Sequence, residues 1–173
     1  VDDEVRDAAW ERGYGNRPDT WHAAGSFRGT ATLGAETFQS RGDADAFGLA
    51  FRDDGTVELA FHLGGPGQDE ARSLIRSSRN QFAFDVVGSF ENTAVVADAE
   101  LTSAGGTDTF FGSARITFQG APFITALHVG SPGDDAALGI ARSLGFYGDY
   151  AGDVPVVVGR SDGPVTFLSS FGG

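Results

Sequence analysis

The sequence predicts an all-β fold, a single antiparallel barrel or sandwich of about eight strands with one or two short helices. Three observations lead to this class. Apolar residues alternate with small or polar residues in run after run, which is typical of half-buried strands. Glycine-rich segments, with 26 glycines in 173 residues, separate these runs as turns would. An Asp-Gly pair, Asp54-Gly55, joins two of the runs, which is a strong hairpin signal.

Residues 1–26 differ from the rest, so the sequence divides into an N-terminal arm or linker over 1–26 and a β-barrel domain over 27–173. Acidic residues crowd the start of the arm with apolar residues between them, which predicts a short helix ending at Gly13. Trp10 and Trp21 are expected to dock the arm onto the domain.

The segment 46–63 gives the clearest hairpin, because two alternating runs flank the Asp-Gly turn. Apolar residues at alternate positions are assigned to one inward face. They are Phe47, Leu49, Phe51, Val57, Leu59 and Phe61.

Further alternating runs complete the set of about eight strands. They cover 82–86, 93–101, 110–118, 123–129, 154–158 and 165–171. Two other segments, 68–79 and 134–144, carry apolar residues at helical spacing and are predicted as helices that cover the β body. No internal repeat of fixed period is evident at this level.

Composition excludes several function classes. The net charge of −12 and the pI near 4.4 oppose binding to a phosphate backbone, so no nucleic-acid partner is expected. No apolar run is long enough for a membrane helix, so no transmembrane segment is expected. Cysteine is absent, which removes disulfides and thiolate sites. Methionine is absent too, which suits a processed chain and favours an extracytoplasmic location, at the cell surface or in the periplasm.

Catalytic patterns are weak, and the sequence predicts that the protein is not an enzyme and holds no cofactor or metal. The segment 159–163 matches G-x-S-x-G around Ser161, yet a strand pattern follows it where a hydrolase needs a helix. His22, His62 and His128 are interpreted as satisfied or exposed histidines. The Asp-rich turns fit turn and cap chemistry better than a calcium loop.

The segment 146–154, with the sequence FYGDYAGDV, resembles a signature of transferrin-binding protein B-like surface lipoproteins. In the C-terminal barrel of that family, Phe-Tyr-Gly-x-x-Ala-x-acidic-aliphatic precedes a closing hairpin and a terminal Phe-Gly-Gly or similar. This chain ends in Phe171-Gly172-Gly173, and factor H-binding proteins have a similar ending. The segments 27–31 and 51–59 look like the family's opening strands.

The resemblance implies an eight-stranded, side-chain-filled barrel of bacterial type, lipid-anchored through a Cys upstream of Val1. It also implies binding of a protein partner or of a ligand such as haem. Since such a barrel has no interior cavity, binding would fall to loops and rim, and Tyr147 and Tyr150 are the predicted binding residues. Two alternatives stay open: a lipocalin-like cup for a small apolar ligand, and a structural β subunit of a virion or appendage.

Overall fold

The computed structural model describes residues 3–13, 15–76, 82–97, 99–117, 122–147 and 150–161, with the backbone alone for 142–147 and 150–156. Twelve strands run through these residues. They are β1 (Glu4–Glu11), β2 (Thr20–Phe27), β3 (Thr30–Leu33), β4 (Glu36–Gln39), β5 (Asp45–Arg52), β6 (Val57–Gly64), β7 (Glu70–Arg76), β8 (Phe84–Val96), β9 (Ala99–Ile116), β10 (Pro122–Val129), β11 (Asp135–Tyr147) and β12 (Tyr150–Ser161).

Eight of these strands form one antiparallel sheet, in the order β1-β2-β5-β6-β8-β9-β10 with β7 paired to β8. The pairs β3–β4 and β11–β12 form two smaller sheets. The predicted all-β class of about eight antiparallel strands is therefore confirmed. The described residues contain no helix.

The same arrangement of strands occurs more than once along the chain, and we call each occurrence a unit. Unit 1 is the antiparallel set β1-β2-β5-β6, with the β3–β4 hairpin between its second and third strands. Unit 2 is the set β7-β8-β9-β10, and β8 and β9 extend beyond it as the equivalent hairpin. Thr93 pairs with Thr102 there, as Thr30 pairs with Gln39 in unit 1. The described part of unit 3 is β11-β12.

A β-bulge in the first strand of each unit establishes the equivalence. The pairing skips Arg6 in β1, Arg72 in β7 and Leu138 in β11, and these three residues are 66 positions apart. An extra residue at one fixed place in a strand is a designed feature of a fold. The chain is therefore an internal repeat, which the sequence alone did not reveal.

A glycine in the second strand repeats as well. Gly25 pairs with Val5 just before the bulge, and Gly88 occupies the same place in unit 2. A Cβ at either glycine would overlap a carbonyl oxygen of the first strand, that of Glu4 or of Glu70. The close approach of these two backbones explains why glycine stands at both positions.

The main core lies between units 1 and 2. The rings of Phe61 and Phe110 stack with centroids 6.0 Å apart. The ring of Phe84 lies over Gly48, where an added Cβ would be 2.6 Å away. We call the surface by which unit 2 meets unit 1 face A, and the surface of unit 1 that receives it face B. Face A of unit 2 includes Leu74, Phe84, Val86 and Phe110, and face B of unit 1 includes Ala24, Gly48, Ala50 and Phe61.

The same stacking recurs between units 2 and 3. Ile140 and Val157 occupy the positions of Leu74 and Val86, and so belong to face A of unit 3. They pack with Val87 on face B of unit 2 in a second buried cluster. Each unit thus presents face A to the unit before it and face B to the unit after it.

The predicted helices are wrong. The segment at the start of the chain forms β1, the segment 68–79 contains β7, and all of the segment 134–144 except its first residue lies in β11. Each of these strands carries the bulge, so residues three apart, such as Ala71 and Leu74, share one face. A helix gives the same spacing, so the segments of β7 and β11 resemble helices in sequence, whereas the helix predicted at β1 rests on its acidic residues. The segment 1–26, predicted as an arm, instead supplies β1 and most of β2 to the main sheet.

The predicted 46–63 hairpin is confirmed as β5–β6, but the single inward face assigned to it is wrong. Ala50 pairs with Leu59 and Phe51 with Val57, so Glu58 is an extra residue that reverses the alternation. Leu59 and Phe61 consequently lie on face B. The other four assigned residues, Phe47, Leu49, Phe51 and Val57, cluster on face A of unit 1.

The remaining strand predictions have mixed outcomes. The runs 82–86, 110–118, 123–129 and 154–158 overlap β8, β9, β10 and β12. The run 93–101 is a hairpin rather than one strand, with Ala97 in its turn at φ 49°. The run 165–171 lies outside the described residues.

Candidate functional site

An Asp–His pair with a buried carboxylate lies where β5 begins and near the end of β6. Asp45 is fully buried, and its Oδ2 is 2.7 Å from Nε2 of His62. The backbone N–H of Arg41 also donates to the Asp45 carboxylate, at 3.1 Å to each oxygen. Phe27 and Phe38 flank the imidazole, with ring centroids 5.4 and 5.1 Å away. A carboxylate with several donors tolerates burial, so Asp45 fixes both the loop before β5 and the histidine ring.

Unit 2 contains the same pair. Nε2 of His128 is 2.9 Å from Oδ2 of the buried Asp108, and the N–H of Ala104 donates to that carboxylate. Phe90 packs edge-on against His128 with centroids 5.5 Å apart, at the position of Phe27. The prediction of satisfied histidines holds for His62 and His128, and the repetition identifies the Asp–His pair as a structural element.

A related aspartate lies at the start of unit 2 and another at the start of unit 3. Asp69 accepts from the N–H of Gly65 at 2.7 Å and from the N–H of Glu91 at 3.2 Å. Burial raises the pKa of Asp69 to about 7, against the lowering effect of those two N–H donors. Asp135 holds Ser131 in the same way. Cap chemistry, as predicted for the Asp-rich turn at 134–135, describes Asp135, and Asp69 accepts hydrogen bonds in the same way.

A cleft of about 530 Å³ lies along β6 beside the Asp45–His62 pair. Its lining combines charged, aromatic and aliphatic side chains from both units. The lining residues are Glu36, Phe38, Arg41, Glu58, Leu59, Ala60, His62, Ala97, Ile116, Pro122 and Ile124. This volume is within the range of sites that bind small molecules or peptide side chains.

The cleft touches an edge of β6 that is open among the described residues. β6 pairs with β5 along one side, and on its other side the described pairing is with β8 at Leu63 and Gly64. Neighbouring strand residues point to opposite faces, so a cleft that contacts both Leu59 and Ala60 contacts the strand edge. Unpaired backbone groups at a sheet edge can pair with another chain.

Two charged residues of the cleft are specific to unit 1. Arg41 stands where unit 2 has Ala104, and Glu36 where unit 2 has Ala99, each 63 positions apart. Nη1 of Arg41 donates to the carbonyl oxygens of Gly64 and Val95, at 3.2 and 3.1 Å. Arg41 therefore holds β6 and β8 together at the end of the cleft. The Asp–His pair, which repeats in both units, is structural, whereas Arg41 and Glu36, which differ between the units, mark the candidate site.

The predicted binding residues lie elsewhere. Tyr147 ends β11 and Tyr150 begins β12, and their backbones pair across the hairpin. Their side chains lie outside the described residues, so their role stays a prediction. Gly159, Arg160 and Ser161 of the G-x-S-x-G segment are the last residues of β12, where Ser161 pairs with Asp135, and residues 162–163 lie outside the described residues.

Within the described residues, no three His, Asp or Glu side chains converge as a metal site would require. The described residues also hold no helix of the length and apolarity needed to cross a bilayer. Comparisons with protein-family models, with curated protein sequences and with solved structures give no significant match.

Proposed function

We propose that this protein is a non-catalytic binding module that holds an extended segment of a protein partner in the cleft along β6. The observation that carries the proposal is the combination of an open strand edge with an adjacent cleft whose charged lining is specific to unit 1. A peptide that adds to a sheet edge gains affinity from main-chain hydrogen bonds and specificity from pockets for alternate side chains.

The charges favour a basic, partly apolar segment. Glu36 and Glu58 line the cleft together with Arg41. Arg52 is ion-paired with Glu58. The negative field therefore comes from Glu36 and from the net charge of −12 of the whole chain. Such a field attracts cationic ligands and speeds their association. Phe38, Ile116 and Ile124 supply apolar walls for the side chains that alternate with the basic ones.

We also propose a cellular location, an anchor and a class of ligand. The resemblance to transferrin-binding protein B-like surface proteins supports an extracytoplasmic location, a lipid anchor upstream of Val1 and a protein or haem-type ligand. For haem, the histidine of the cleft is His62, whose Nε2 already faces Asp45. We prefer a peptide ligand to haem because a peptide would contact the edge of β6 as well as the side chains of the cleft.

The proposal is tested with a displayed library of random peptides of about eight residues, the length of β6. Peptides enriched on the immobilised protein are then measured by fluorescence anisotropy. We expect basic residues alternating with apolar ones, and Glu36→Arg should weaken binding about tenfold or more. Asp53→Arg makes the same charge change at an exposed turn residue that does not line the cleft, and should leave affinity nearly unchanged. Equal losses in the two variants, or no enrichment, would contradict the proposal.

A further inference from the structure

The β1–β2 part of face A is open in unit 1, whereas the same part of the other two units is covered. Farther along face A, Phe47 and Leu49 are buried with residues of the β3–β4 hairpin. Val5, just before the bulge of β1, is 61% exposed. Its equivalents Ala71 and Ala137 are both fully buried, because units 2 and 3 pack on the unit before them. All three residues precede the same bulge in the first strand of their unit. Their exposure therefore differs because a preceding unit covers Ala71 and Ala137 but not Val5.

Trp21 is likewise exposed in unit 1 while its equivalent in unit 2 is buried. It occupies the position of Phe84, which is 1% exposed and lies over Gly48 of the preceding unit. Trp21 is 41% exposed and faces Trp10 across β1–β2, with ring centroids 6.3 Å apart. An exposed aromatic pair on an apolar face is the composition of a protein interface and of its hot spots.

The opposite end of the described structure has the complementary surface. Val158 in β12 is 57% exposed and belongs to face B of unit 3. Its equivalents Ala24 and Val87 are fully buried, because each receives face A of the next unit. One chain therefore carries an open part of face A on β1–β2 and an open part of face B on β12.

We propose that copies of this chain associate head to tail, with the open β1–β2 part of face A in one copy packed on face B of unit 3 in the next. The contact continues an interface that occurs twice within the chain, between units 1 and 2 and between units 2 and 3. Such a contact joins two different surfaces, so it is heterologous and generates a ring or a filament. The inference stands apart from the proposed peptide cleft, which lies along β6.

The first test is the molar mass of the protein by sedimentation equilibrium over roughly two orders of magnitude in concentration. The unmodified chain should gain mass with concentration. Trp21→Glu and Val158→Glu should each abolish that gain, because each removes one of the two surfaces. Ala99→Glu, at an exposed apolar position at the start of β9, is the matched control and should associate normally. Circular dichroism melting verifies that every variant is folded.

The decisive test mixes the two variants. Trp21→Glu keeps face B of unit 3 intact, and Val158→Glu keeps face A of unit 1 intact, so the mixture should form a dimer and stop there. A variant that had merely lost its fold could not restore association in this way. A monomer at every concentration would overturn the proposal. So would association that depends on Trp21 but not on Val158, since this would indicate a symmetric contact between two copies of face A.

Discussion

His62 and Asp45 make the same contact in unit 1 that His128 and Asp108 make in unit 2, with Nε2–Oδ2 distances of 2.7 and 2.9 Å. The loop before each aspartate is held by the same carboxylate, through the N–H of Arg41 or Ala104. A contact that recurs with its surroundings belongs to the architecture of the repeat. The unit-specific charges beside it, Arg41 and Glu36, are then the better candidates for recognition.

The first prediction concerns the Asp45 carboxylate. Asp45→Asn leaves the N–H of Arg41 and the ring of His62 with a weaker acceptor in a buried place, and should lower the free energy of unfolding by about 1–3 kcal/mol. Urea denaturation measures the change. Asp43→Asn alters an exposed carboxylate in the same loop and should cost much less. Equal costs would mean that Asp45 does not hold the loop.

The second prediction follows from the raised pKa of Asp69, which is about 7 in the folded protein and 3.8 as its ordinary value. Between these pH values the folded state binds more protons at this residue than the unfolded state does. Its contribution to stability is therefore present below pH 3.8 and is lost as pH rises through 7. Asp69→Asn cannot titrate, so the stability of this variant relative to the parent should increase from pH 4 to pH 8. Denaturation series at several pH values measure this, and a constant difference would contradict it.

The third prediction separates the two faces of the β5–β6 hairpin. Phe61 is fully buried and stacks on Phe110 between units 1 and 2, so Phe61→Ala should destabilise the fold by about 3–5 kcal/mol. Phe51 is half-buried on face A, and Phe51→Ala should cost clearly less. The reverse order would mean that the bulge at Glu58 is misplaced and that Phe61 faces outward.

The sequence predicts the fold class well because strand alternation and the Asp-Gly turn are local signals. It mispredicts β7 and β11 because the bulge at Arg72 and Leu138 places residues three apart on one face. It mispredicts β1 because acidic residues at the start of a segment are also typical of a helix. Which register a strand takes against its neighbour depends on pairing partners that are distant in sequence. A single inserted residue, Glu58, was therefore enough to move Phe61 to the other face.

Part of the repeat is visible in the sequence. Gly25-Ser26-Phe27 recurs as Gly88-Ser89-Phe90, and Asp45 recurs as Asp108, all 63 positions apart. Elsewhere equivalent positions carry different residues, such as Val5 and Ala71, because one is open and the other covered. The cleft is harder still to predict, since Glu36, His62 and Ile124 come together only through strand pairing between two units.

The most direct test of the binding site is amide hydrogen exchange of the protein with and without a peptide selected from the library. If an extended segment adds to the open edge, exchange should slow in Val57–Gly64 of β6 on peptide binding. Residues of β1, which lie at the other edge of the sheet, should exchange at the same rate in both samples. Protection confined to the hairpin between Tyr147 and Tyr150, with β6 unchanged, would contradict the cleft and place binding on the predicted tyrosine rim.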